Sequence, residues 1–399
     1  MSTNFFISAG EVSGDMYGAL LASALKRKRP ECGLFGIGLE KMKAAGVDFL
    51  VDFSAHSVMG ITEILGALFR SYKIIKQVEN FFEKNDISAV ILIDYAGFNL
   101  KLAAIAKKFD IPVFYFVPPK LWAWGEFRVK GLKKNIDKIY SIFPFEKVFF
   151  KKHGISNEFY GHPIFDIINA AGFDYTGFLK NEKAGLNARD QKIILMPGSR
   201  SQEIKSLLPL MIKSAEKFSA KYAEILPDLE FVVPIADGAD ITAIRTALSK
   251  SSIKYRITRN ELEKYNEFSR ALMAFAASGT AVLELALFGV PAITLYRASI
   301  VTELAAKMLL NVKYISLPNI LLDAPAVPEL IQRMANVDNI VYHAGAFIEK
   351  SDYAASVKKS LLSLADTLIF DAGNSCADKI AADICSISAG TLSDKKVVK

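Results

Sequence analysis

Four short polar segments, each placed directly after an apolar run, hold residue types suited to binding anions and moving protons. Gly10-Glu11-Val12-Ser13-Gly14-Asp15 follows Phe5–Ile7, and its glycines permit a tight turn and close approach of a ligand to backbone. An ordinary strand-to-helix turn, with Asp15 in the first turn of the helix, reads the same way, and the residues favour neither. The dinucleotide pattern G-x-G-x-x-G is absent. Asp94 closes the run Ala89–Ile93 and is followed by Tyr95-Ala96-Gly97-Phe98-Asn99. A carboxylate leaving an apolar strand is partly desolvated, which suits it to take a hydroxyl proton; capping the next helix is the plainer alternative.

Pro197-Gly198-Ser199-Arg200 follows Ile193–Met196 and precedes Glu203. Free backbone donors at a helix start, joined by an arginine fork, suit a diphosphate better than they suit a plain turn. Ser278-Gly279-Thr280 opens an apolar helix that carries Glu284. Burying that carboxylate uncompensated would be costly, so it is expected at a cleft, accepting hydrogen bonds such as those of ribose hydroxyls; a surface glutamate is the alternative. His162, in Gly161-His162-Pro163, is expected to position neighbours near a hinge, a buried histidine satisfied by backbone being the more common alternative; the other three histidines show no triad or metal spacing with it. Trp122 and Trp124 suit a ligand site and a core position equally.

These segments need a scaffold that collects strand ends. In the first half, apolar runs at Phe5–Ile7, Ala89–Ile93, Val113–Val117 and Ile139–Ile142 are too short for helices and are separated by helix-length stretches. The theme restarts at Ile193–Met196, Leu229–Val233, Leu272–Ala276 and Ala292–Leu295. Two doubly wound, Rossmann-like α/β domains in tandem follow, with ligands at the carboxyl ends of the strands. The expected division is one domain over 1–165 and a second over 166–345. Helices over 346–387 are candidates for packing across the boundary, and 388–399 reads as a frayed tail. The stretch from Gly161 to Gln191 lacks a sustained pattern and is read as the linker.

At 399 residues and 51% hydrophobic, the chain can build two cores. Its net charge of +7 favours phosphorylated ligands or an anionic membrane surface, while nucleic acid lacks a supporting signature. Cys32, Cys376 and Cys385 show no paired spacing, which fits a reducing compartment. No basic region precedes an apolar core at the N-terminus, so no signal peptide is expected. The apolar stretch Ala271–Tyr296 is broken by Ser278-Gly279-Thr280 and Gly289-Val290-Pro291 into strand, helix and strand. Over 58–82, Ile61, Ile64, Leu65, Leu68, Tyr72, Ile75, Val78 and Phe82 recur at helical spacing. That pattern fits a helix packed on the first sheet. It also fits a membrane contact formed by Val58, Met59, Leu65, Leu68 and Phe69.

With diphosphate donors and a ribose acceptor in the second half and a base in the first, the division of labour is that of a two-domain, B-type glycosyltransferase. The motifs resemble those of the lipid-A-disaccharide synthase family. The matching segments are Gly10–Asp15, Val58-Met59-Gly60, Ile93–Asn99, Trp122-Ala123-Trp124, Phe143-Pro144-Phe145-Glu146, Gly161-His162-Pro163, Pro197–Arg200, Ala277–Glu284 and Ser316-Leu317-Pro318-Asn319. The resemblance implies two domains facing a cleft and inverting, β-1,6-forming transfer of a diacylglucosamine unit from UDP to 2,3-diacylglucosamine 1-phosphate. It implies no cofactor and no metal, UDP-sugar being a substrate, with helix N-termini and cationic side chains neutralising the leaving diphosphate. It also implies a cytoplasmic protein peripheral on the inner membrane, with monomer and homodimer both open. Carried over by position, Asp94 resembles the base, Arg200 and Asn319 nucleotide-site residues, and Ser278, Thr280 and Glu284 the diphosphate and ribose ligands. Glu11, Ser13, Gly14, Asp15, Asn99, Trp122 and His162 fall on the acceptor side. Gly97 stands where many relatives place a second acid, and Leu322-Asp323-Ala324-Pro325 replaces an Ala-Gly-Arg pattern. The competing readings are another B-type UDP-sugar enzyme, such as an N-acetylglucosaminyl transferase or a UDP-sugar epimerase, and a nonenzymatic nucleotide-binding regulator on the membrane.

Overall fold

A computed structural model of the chain describes residues 3–52, 64–123, 125–186, 188–235, 239–297, 313–369 and 375–397. They form two compact units, 1–167 with 368–399, and 168–367. Each is an open parallel sheet wound with helices.

The first sheet has the order β3-β2-β1-β4-β5-β6-β7. Its strands are β1 (Asn4–Ala9), β2 (Gly33–Gly38), β3 (Asp48–Asp52), β4 (Ala89–Ile93), β5 (Val113–Phe116), β6 (Lys138–Ser141) and β7 (Asn157–Phe159). The inner strands β1, β4 and β5 are buried almost throughout, as expected of parallel strands covered on both faces. The helices are α1 (Val12–Lys28), α2 (Glu40–Ala44), α3 (Ile64–Lys84), α4 (Ala96–Lys108), α5 (Val129–Asn135), α6 (Pro144–Lys152) and α7 (Ile164–Ala170). Val78 and Phe82 of α3 and Leu102 and Ala106 of α4 pack with Val90 and Leu92 in one core. The second half of α3 therefore faces the sheet, as the first of the two sequence readings expects, while Tyr72 is exposed.

The second sheet has the order β10-β9-β8-β11-β12-β13. Its strands are β8 (Lys192–Met196), β9 (Glu230–Pro234), β10 (Tyr255–Thr258), β11 (Met273–Ala277), β12 (Ala292–Tyr296) and β13 (Glu329–Ile331). The helices are α8 (Tyr175–Lys183), α9 (Ser201–Lys221), α10 (Ile241–Leu248), α11 (Glu261–Phe268), α12 (Thr280–Leu287), α13 (Leu317–Leu322), α14 (Val337–Glu349) and α15 (Ser351–Leu368). The stretch 161–191 is no bare linker: α7 and α8 lie within it. Tyr175 and Phe178 of α8 pack on Phe288, and the Tyr175 hydroxyl donates to the Leu287 carbonyl at 2.6 Å. Ala271–Tyr296 is the expected strand, helix and strand, and no helix among the described residues is long and apolar enough to cross a membrane.

The chain then returns to its first unit. The last helix, α16 (Cys376–Val397), packs along α1, and its backbone stays helical past residue 388, where the sequence suggests a frayed tail. Its start is capped from α7: Asp166 accepts from the Ser375 hydroxyl at 2.9 Å and from the amides of Cys376 and Ala377 at 3.1 and 2.8 Å. Lys138 and Tyr140 of β6 hold Asp383 at 2.5 and 2.9 Å. Replacing Asp166 with Ala orphans buried amides at a helix start, and we expect a loss of about 1–3 kcal/mol in denaturant unfolding. Amide exchange at Cys376 and Ala377 should accelerate with it; unchanged protection there would show that the cap is idle.

Candidate functional site

In a doubly wound sheet, a crevice opens where neighbouring strands send their connections in opposite directions. In the first unit that point lies between β1 and β4, in the second between β8 and β11. The four segments singled out above are the loops after these four strands.

In the first unit the two loops touch. A Cβ on Gly10 would overlap the ring of Tyr95, so only glycine lets that ring lie over the loop after β1. Burial, then the charge of Glu11, pushes the Tyr95 hydroxyl pKa up, which places Glu11 beside it. Asp94 and Tyr95 both adopt left-handed backbone, with φ of 48° and 46°, and Val117, just after the adjacent β5, does the same at 57°. Such conformations cost roughly 1–3 kcal/mol each for residues other than glycine, and they persist where surrounding bonds over-determine them. Here the Asp94 amide points at the carbonyls of Phe116 and Val117, at 3.4 and 3.2 Å. Its carbonyl receives the Tyr115 hydroxyl at 2.6 Å and the Asn99 side-chain Nδ2 at 2.8 Å. The Asp94 side chain is left half-exposed at the edge. Gly97 is exposed and has open space where a Cβ would stand.

Other residues expected on the acceptor side have different work. Asp15 is buried and turns toward α2, accepting from the amides of Leu39, Lys41 and Met42 at 2.8, 2.9 and 3.3 Å. Its carboxylate is a helix cap, and burial raises its pKa despite those bonds. Gly14 is buried, Ser13 half-buried and Glu11 exposed. Asn99 is wholly buried, a clamp rather than a contact residue: it accepts from the Ser8 hydroxyl at 2.7 Å and donates to the carbonyls of Asp94, Ile93 and Ser8. Val58, Met59 and Trp124 lie outside the described residues, as do the side chains of Leu65, Leu68 and Phe69.

Trp122 has a partner that spacing alone does not reveal. Its indole N–H donates to Glu146 at 3.0 Å, and the other Glu146 oxygen accepts from the amides of Ile142 and Phe143, both at 3.2 Å. Glu146 is 1% exposed, and burial raises its pKa to about 7 against these bonds. The legible signal is local: Pro144 opens the helix, and Glu146, three residues after the N-cap Phe143, reaches back to the Phe143 amide. His162, after β7, is 2% exposed, with its ring between Phe143 and Tyr17. Burial, then Lys120, lowers its pKa to about 3, so it is neutral.

In the second unit Gly198 has φ of 105°, and a Cβ there would overlap the Glu203 carboxylate. Arg200 begins α9, its side chain 68% exposed and 3.6 Å from Glu203; Ser199 is exposed beside it. Gly279 and Thr280 are exposed at the start of α12, with nothing near the position of a Gly279 Cβ, and Ser278 is half-buried. Glu284, one turn further, meets Lys264 of α11 at 2.7 Å, and Lys264 also meets Glu261 at 2.5 Å. Burial raises the Glu284 pKa and Lys264 opposes the rise. Asn319 does not reach the open edge. Its side chain is buried, bonded to both the amide and the carbonyl of Val327 at 2.9 Å and to Glu329 at 2.9 Å. It braces the loop in which Asp323, at φ 47°, ends α13.

Glu146 yields a pH test. Its carboxyl binds a proton more tightly folded, at about 7, than unfolded, at 4.5, so its contribution to stability falls as pH rises across that interval. With Trp124→Phe leaving Trp122 as the sole tryptophan, emission should titrate near pH 7, and adding Glu146→Gln should flatten both that titration and the loss of stability. An unchanged titration in the Gln protein would assign it to another group.

The model of the family described as lipid-A-disaccharide synthetase matches residues 5–381. The lipid-A-disaccharide synthase of Geobacter sulfurreducens is 33% identical over 387 residues, 95% of this chain and 96% of that protein. That of Myxococcus xanthus is 36% identical over 326 residues, 82% and 83% of the two chains. Among solved structures, the S. aureus MnaA-UDP co-structure has a TM-score of 0.59 at 12% identity, covering 94% of each chain, a likeness of fold.

Proposed function

The chain belongs to the lipid-A-disaccharide synthase family, hexosyltransferases that join two acylated glucosamine units, and from that premise we propose how its loops divide the reaction. The observation that carries the reading is the placement of Asp94, Gly198–Arg200 and Ser278–Thr280 at the two strand-order reversals. The substrates are UDP-2,3-diacylglucosamine and 2,3-diacylglucosamine 1-phosphate, and the products are the β-1,6-linked disaccharide 1-phosphate and UDP.

Asp94 takes the proton from the acceptor's 6-hydroxyl as that oxygen attacks the anomeric carbon from the face opposite UDP, inverting it. The pinned backbone of Asp94 fixes where the carboxylate stands, so orientation is built in before substrate binds. On the donor side, the backbone amides at the starts of α9 and α12, with Arg200, neutralise the leaving diphosphate, a task these groups perform without a metal. Glu284 accepts the ribose hydroxyls while Lys264 keeps it from standing as a lone buried charge. Asp94→Asn should lower turnover by about 10²–10⁴-fold while UDP binding persists. Purified protein given both acylated substrates, with disaccharide product measured, provides the readout. Turnover retained in the Asn protein would remove Asp94 as base, and UDP release without the acceptor would point to a different B-type enzyme.

Multiply acylated substrates reside in a bilayer, and the first turns of α3 are the proposed contact on the inner face of the cytoplasmic membrane. Supporting this, Leu65, Leu68 and Phe69 recur at helical spacing at the start of α3. Replacing Leu65, Leu68 and Phe69 together with Ser should abolish flotation with anionic vesicles while the unfolding midpoint holds. A collapse of that midpoint would place these side chains in the core instead.

A further inference from the structure

His162 holds an unused donor. Its Nδ1 accepts the Ile164 amide at 3.1 Å, so the ring proton of the neutral imidazole resides on Nε2. That N–H is buried and meets no acceptor among the described residues. Native buried donors are nearly always paired, and an unpaired one asks for an explanation. Lys120, in the loop after β5, is exposed and in no ion pair among the described residues, and its charge reaches both His162 and Glu146. The ring lies 5.4 Å from that of Phe143 and 6.4 Å from that of Tyr17, centroid to centroid. A neutral donor within the field of an ammonium suits an oxygen that carries negative charge and has no proton to give.

We propose that the His162 Nε2–H and the Lys120 ammonium together hold a phosphate oxygen of a sugar-phosphate substrate. This deepens the transferase reading and rests on it, adding to the first unit a phosphate contact separate from the two helix starts of the second. The oxygen belongs to the acceptor's 1-phosphate or to the diphosphate of the UDP-sugar, and the two are separable.

Nitrogen-15-labelled histidine in the full chain reports the tautomer and the Nε2–H directly. The expected result is one neutral tautomer, protonated on Nε2, from pH 5.5 to 8.5, whose proton shifts when diacylglucosamine 1-phosphate or UDP is added; whichever shifts it names the source. No shift with either, or a shift with inorganic phosphate alone, overturns the proposal. Two substitutions separate ligand binding from structure. His162→Asn keeps an acceptor for the Ile164 amide but lacks the far donor, and His162→Gln keeps a far donor but lacks that acceptor. Loss of a hydrogen bond to a charged group predicts a roughly 10- to 100-fold rise in KM for the Asn protein, exceeding its change in kcat, with partial recovery in Gln and a similar rise in Lys120→Met. The reverse order, Asn like wild type and Gln impaired, means that His162 serves the backbone only. Absence of turnover in the wild type would instead defeat the transferase reading, so the two failures differ.

Discussion

The carboxamide of Asn99 is wholly buried and meets the end of β1 and the end of β4 at once, through the Ser8 hydroxyl and the carbonyls of Ser8, Ile93 and Asp94. A carbonyl left unpaired in the interior would cost about 1–3 kcal/mol. One side chain reaches all three carbonyls, and in doing so fixes the gap between the strands. The left-handed turn at Asp94 is tenable because that clamp and the Tyr115 hydroxyl grip its carbonyl from two sides. The ring of Tyr95 can then cover the loop after β1 only because Gly10 has no side chain. The open edge of the first unit follows from this sequence of constraints.

The second unit solves a different problem with different means. Its loops after β8 and β11 present small residues and backbone donors, and most of its fixed polarity lies one layer back. Lys264 stands between Glu261 and Glu284, and Glu329 accepts from the amides of Ile315 and Ser316, the Ser316 hydroxyl and Asn319. The exposed Arg200 contrasts with these buried networks, as a side chain that must move to a ligand contrasts with those that hold the frame.

Much of this architecture was legible because central parallel strands must be apolar on both faces, and runs such as Ala89–Ile93 and Ile193–Met196 can be little else. The strands that escaped are the edges and the glycine-rich β2. In β2, Gly36 carries no side chain because a Cβ would strike the Ile7 carbonyl, so close approach replaced the apolar signal. The loops at the strand-order reversals were found for the same reason, since a polar residue ending an apolar run is visible in one dimension. What stayed hidden depends on partners distant in the chain. Nothing in the sequence ties Asp15 to Leu39 or Asn99 to Ser8, and Trp122, equally suited to a ligand site and to the core, meets its partner only in Glu146, 24 residues on. Asn319, taken for a ligand contact, is a brace for the same reason.

The packing of α16 against α1 joins residues more than 340 positions apart. Contacts of such separation close a large loop and form late. During synthesis, residues 168–367 emerge as one uninterrupted stretch and can complete their own core, whereas 1–167 leave the ribosome without the helix that covers α1. The half made first is therefore the half finished last, and until Cys376–Val397 arrives, the face of α1 that this helix covers stays open to solvent and to chaperones.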